Sequence, residues 1–132
     1  MMADKHKDKK MAVRIRRAEE AFDDACFLCE YQRYNSSVNR LYYACFYIMN
    51  VLLVAKDMTE AQTHSEVKSL LRQAFLKTGI FSVEMANHYN SLYDWCQEAD
   101  YSNFVDFERE TTDVLIAKTK EFINEVKQIA EI

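Results

Sequence analysis

Proline is absent from this 132-residue chain, and glycine occurs once, at Gly79. Tight hairpins and sheet corners draw on both residues, so a β-rich fold is excluded and helices joined by short polar turns are predicted. With a single glycine there is also no phosphate-cradling Gly-rich loop, dinucleotide fingerprint or nucleophile elbow. The charge balance, 17 basic against 21 acidic residues, lacks the basic excess that marks a nucleic-acid binder over its whole surface. No uninterrupted apolar run is read as a membrane span, and the charged start lacks a signal peptide's apolar stretch. A cytoplasmic protein with no membrane association is the expectation. A di-iron bundle needs Glu-x-x-His pairs, and none occurs. The nearest pattern, Glu84 and His88 four apart, is read as an exposed helix pair.

What is present is a composition 49% apolar and 29% charged, enough for one folded domain with a real core. Lys5, Lys7, Lys9 and Lys10 make residues 1–11 a basic, solvated tail, with residues 12–132 forming one helical domain. The four cysteines, Cys26, Cys29, Cys45 and Cys96, fall inside apolar helical segments. They are read as reduced, packed thiols rather than metal ligands.

Periodicity gives a first helix from Ala12 to about Gln32, with Val13, Arg17, Ala21, Phe22, Ala25, Leu28 and Cys29 inward. A second helix, capped by Asn35 or Ser36, runs to about Lys56 and is apolar almost all round, as expected of a central element. Thr63 and Glu66 have capping-box spacing for a short helix from His64 to about Lys77, which Gly79 ends. Ser82 caps a fourth helix to about Ala99, with Val83, Ala86, Tyr89, Tyr93 and Cys96 inward. A fifth runs from about Val105 to Ile129, with Val114, Leu115, Phe122 and Val126 among its apolar positions. The predicted fold is all-α, an antiparallel four-helix bundle with one additional short helix.

Within the second helix, Arg40, Tyr43 and Tyr47 share one side, a polar stripe on an apolar rod. Read as packing alone, Arg40 pairs with Asp94, Glu98 or Asp100 and the tyrosines fill the core; the protein is then a helical adaptor. Read as a site, the guanidinium offers a planar fork to phosphate and the tyrosines offer faces to bases. His64, and Lys77 at the end of the short helix, are the other candidates.

The stretch Asn39-Arg40-Leu41-Tyr42-Tyr43-Ala44-Cys45-Phe46-Tyr47 resembles the second-helix signature of small prokaryotic HEPN-domain proteins, Asn-Arg-x-Tyr-Tyr-Ala-x-Phe-His. Thr63-His64-Ser65-Glu66-Val67 is similar to that family's Thr-His-x-x-Val segment. Phe75-Leu76-Lys77-Thr78-Gly79 and Glu98-Ala99-Asp100-Tyr101 match two further blocks in order, so the resemblance spans about residues 12–129. It implies a HEPN bundle that dimerises near its second helix. Members with Arg, six residues and His are metal-independent ribonucleases, often toxins held by a nucleotidyltransferase antitoxin. No cofactor or metal is implied.

Two departures bear on activity. Arg40 stands at the family's Arg position, but Tyr47 stands at the His position. Histidine exchanges protons near neutral pH, whereas tyrosine has a reference pKa of about 10. Cys96 stands where the family keeps an arginine. The expectation is a dimeric, partner-regulated RNA- or nucleotide-binding subunit with an altered ribonuclease site. In it Asn39, Tyr43 and Lys77 bind; in any residual cleavage Arg40 steadies charge on phosphorus while His64 or Tyr47 moves protons. The alternatives are an active ribonuclease toxin and a purely structural adaptor.

Overall fold

The computed structural model describes the backbone of residues 2–76, 78–101 and 106–132, and the side chains of residues 5–73, 78–97 and 106–132. Its helices are α1 (Met2–Glu30), α2 (Tyr34–Ala55), α3 (His64–Leu70), α4 (Val83–Tyr101) and α5 (Arg109–Ile129). A π-helical turn, Leu71–Leu76, extends α3. No strand occurs among the described residues, and the all-α expectation holds. Lys77 lies outside the described residues, as do the side chains of Glu98 and Asp100.

Non-glycine residues supply the left-handed turns that a glycine-poor chain needs. Gln32 and Asp57, with φ of 63° and 57°, end α1 and α2. In each turn the next amide reaches back to the helix, Arg33 N–H to Leu28 O at 2.8 Å and Met58 N–H to Leu53 O at 2.8 Å, which satisfies end carbonyls. Gly79, at φ 75°, takes the same region after α3. Thr63 and Glu66 close the expected capping box, and the Ser82 hydroxyl accepts from Met85 N–H at 3.2 Å. The α2 start differs from expectation, because Arg33 is its N-cap and no side chain caps it. Asn35 instead accepts from Phe107 N–H at 2.9 Å and donates to Asp106 at 3.3 Å, tying the approach to α5 against α2.

α2 is the axis of the bundle. Val38, Leu41, Ala44, Cys45, Ile48, Met49, Val51, Leu52 and Leu53 have no exposed surface. α1 packs on it through Ala18, Ala21, Ala25 and Cys29, small side chains that let the backbones close in until the Ser37 hydroxyl donates to Ala25 O at 2.7 Å. α4 contributes Met85, Ala86, Tyr89 and Leu92; α5 contributes Leu115, Phe122 and Val126. By length and composition α2 would also reach across a membrane, which the sequence reading had set aside. Of its apolar window, 67% is buried inside the bundle.

Three further differences have physical causes. α1 begins at Met2, not near Ala12, because its basic turns find partners after α2: Lys7 with Asp57 at 3.1 Å, and Arg14 with Glu60 at 2.9 Å. Val83, the first residue of α4, is 63% exposed, and Val114 is 53% exposed because the inward stripe of α5 runs through buried Thr112 and Thr119 instead. His88 is not exposed beside Glu84. It is buried, and its Nε2 is hydrogen-bonded to Thr119 Oγ1 at 3.0 Å. Burial, with the Lys118 charge second, pushes its pKa down to about 4. All four cysteines are free thiols.

Candidate functional site

Arg40 leaves α2 half-buried, on the side shared by Tyr43 and Tyr47. Its guanidinium carbon sits 4.8 Å from the centroid of the Tyr43 ring, a cation–π contact. Nη2 donates to Asn39 Oδ1 at 3.3 Å. Among the described residues no carboxylate forms an ion pair with it, and Asp94, one partner the packing reading proposed, is exposed. Asn39 also donates through Nδ2 to Cys96 Sγ at 3.3 Å. Cys96 is therefore a buried thiol that braces Asn39.

Tyr43 is half-buried, with the Tyr47 ring 6.1 Å away and the Tyr42 ring edge-on at 5.2 Å. Tyr47 is half-buried as well and meets the edge of Phe46 at 6.3 Å. Tyr42 turns the other way, into the bundle, where Tyr89 and Tyr93 of α4 lie 5.8 and 5.4 Å from it. Burial pushes the Tyr42 hydroxyl up to about 12, so it stays protonated at neutral pH.

His64 opens α3 and lies flat on Tyr93, ring centroids 3.5 Å apart and planes 3° from parallel. Tyr89 stacks with it at 5.2 Å, and Tyr42 meets it edge-on at 6.0 Å. Its Nδ1 is buried with no hydrogen-bond partner. Desolvation first, and the Lys68 charge second, lower its pKa, against an opposing pull from Asp94. The loop that delivers His64 is anchored by Asn50, whose Oδ1 accepts from Ala61 N–H at 2.8 Å while its Nδ2 donates to Phe46 O.

The structure thus brings Arg40, Asn39, Tyr43 and Tyr47 onto one face of α2. His64 belongs to a separate stack, joined to that face through Tyr43 and Tyr42. Sequence reasoning overlooked the roles of Tyr42, Tyr93 and Asn50. A signal existed: Tyr89 and Tyr93 are four apart on one helix, and Asn50 interrupts an otherwise apolar run.

The HEPN domain family model matches residues 11–129. The chain belongs to the HEPN domain family. It is 35% identical over 125 residues to a UPF0332 protein of Thermotoga maritima, covering 95% of this chain and 94% of that one. It is 30% identical over 114 residues to a protein of Methanocaldococcus jannaschii described as a candidate toxin, covering 86% of this chain and 77% of that one. In this HEPN domain the Arg40 face is built almost wholly by one helix, so its composition is set by residues 39–47.

Proposed function

We propose that this HEPN protein is a cytoplasmic, partner-regulated subunit that binds RNA or a nucleotide through the Arg40 face of α2, as a homodimer in which two such faces meet. The observation that carries this reading is the state of Arg40. A half-buried guanidinium usually pairs with a carboxylate, and among the described residues this one is held instead by an amide oxygen and a tyrosine face. Its charge is left to meet a phosphate. Tyr43 and Tyr47 present rings beside it on which a base can stack. Two copies of Arg40 across a dimer would double the cationic charge at one composite site. A nucleotidyltransferase is the proposed regulating partner.

Chemistry is the weaker side of this site. Cleavage next to a ribose hydroxyl needs a group that takes a proton and one that returns it, and Arg40 does neither. His64 has lost access through one ring nitrogen to burial, and its neutral form is favoured. Binding without efficient turnover follows. The test is binding of labelled single-stranded RNA by the parent protein and by Arg40→Ala; equal affinity of the two sinks the proposal. The toxin description of the M. jannaschii relative favours a second reading, a metal-independent ribonuclease toxin. RNA degraded by the pure protein in excess chelator, and spared by Arg40→Ala, would establish that reading instead.

A further inference from the structure

α1 carries a second surface, independent of the Arg40 face. Its inward side is Ala18, Ala21, Ala25 and Cys29. At 100° per residue, the opposite side holds Lys5, Lys9 and Arg16 in its first half, then Glu20, Asp23, Asp24 and Phe27, with Tyr31 continuing it one residue past the helix end. All are exposed. Phe27 and Tyr31 keep 60% and 64% of their surface in solvent, with ring centroids 4.8 Å apart. Two large aromatics side by side in water, their planes tilted 40° to each other, are an unusual exposure of apolar surface on an otherwise charged helix. The charge along this face changes sign once, basic before Ala18 and acidic after it.

We propose that this face of α1 is a self-association surface on which a second copy of the chain packs through its own α1, antiparallel. A helix that is basic in one half and acidic in the other complements its own copy in that orientation and repels it in the parallel one. A two-fold axis crossing α1 level with Ala18 sets Arg16 of one copy at the height of Glu20 of the other. Lys9 then comes level with Phe27, and Lys5 with Tyr31, so each ammonium meets an aromatic face with carboxylates one turn away. The ion pair already made within the chain, Arg16 with Glu20 at 3.8 Å, is long and about two-thirds exposed, so both ends are free to exchange partners. The carboxylate field reaches the adjacent thiol: after burial, Asp23 and Glu30 are the next causes that raise the Cys26 pKa.

Charge reversal tests the geometry. One variant carries Lys5→Glu and Lys9→Glu, the other Asp23→Lys and Asp24→Lys, and both are followed by sedimentation equilibrium at low and high salt. The parent protein is expected at twice the mass of either variant alone at low salt, and high salt weakens the association. An equimolar mixture of the two variants restores the heavier species, because each reversed half then faces its opposite; the restoration also shows that both variants fold. The readout is the ratio of the parent mass to the variant mass, so it reports this surface separately from any pairing of the Arg40 faces. Equal masses for the parent and both variants, or a mixture no heavier than its components, would overturn the proposal.

Discussion

Arg40 lies 4.8 Å above the ring of Tyr43 and has no acidic partner among the described residues. A cation in that state is not needed to hold the bundle together. Arg40→Ala is expected to shift the free energy of unfolding by no more than about 1 kcal/mol, the scale of one partly exposed cation–π contact. Urea unfolding followed by circular dichroism checks this. A loss of several kcal/mol would instead mark Arg40 as a structural residue and favour the adaptor reading.

Tyr47 stands where the resemblance to HEPN ribonucleases implies a histidine, with Tyr43 and Phe46 beside it. If the proton carrier is what the face lacks, Tyr47→His should introduce metal-independent RNA cleavage into a protein that otherwise binds. The expected gain is at least about a hundredfold over the parent rate, the usual scale of one general acid or base. A gel of labelled RNA in chelator reads it, and Tyr47→Phe should show no gain. No cleavage by Tyr47→His would mean that Cys96, in place of an arginine, is an equally limiting change.

Asn50 fixes the loop ahead of His64 through one buried hydrogen bond at 2.8 Å. Asn50→Ala leaves the Ala61 amide unpaired and is expected to cost about 1–3 kcal/mol. Amide exchange at Ala61 should accelerate along with the global destabilisation. Unchanged exchange at Ala61 would contradict the anchoring role.

His88 gives the bundle a pH dependence whose sign can be worked out. Its folded pKa is about 4, below the reference value of 6.5, so the unfolded chain binds the proton first as pH falls. Stability from this group is complete above pH ~6.5 and declines as pH falls towards ~4, by up to about 3 kcal/mol. His64, also lowered, acts in the same direction. Stability curves of the parent and His88→Gln should differ in slope between those limits. Parallel curves would contradict the burial argument.

The helices were legible because the signals that delimit them are local. Thr63 with Glu66, Ser82 and Gly79 sit where they were read to sit. Where the reading failed, a distant partner decided the outcome. Lys7 looks like a tail charge until Asp57 is brought beside it, some 50 residues along the chain. His88 looks like half of an exposed pair until α5 presents Thr119. The α2 site was legible through Arg40, Tyr43 and Tyr47, because one helix carries all three. The stacking of His64 on Tyr93 was not, since it depends on how α3 docks against α4.

The central claim is that the Arg40 face holds RNA or a nucleotide without efficiently cutting RNA. The most direct measurement is a fluorescence anisotropy titration of 5′-labelled single-stranded RNA in excess chelator, with the same samples then run on a denaturing gel. The account predicts saturable binding, weakened by salt and at least about tenfold weaker for Arg40→Ala (~1.4 kcal/mol), with the RNA recovered intact. Affinity indifferent to Arg40, or RNA cut by the parent protein and spared by Arg40→Ala, would contradict it.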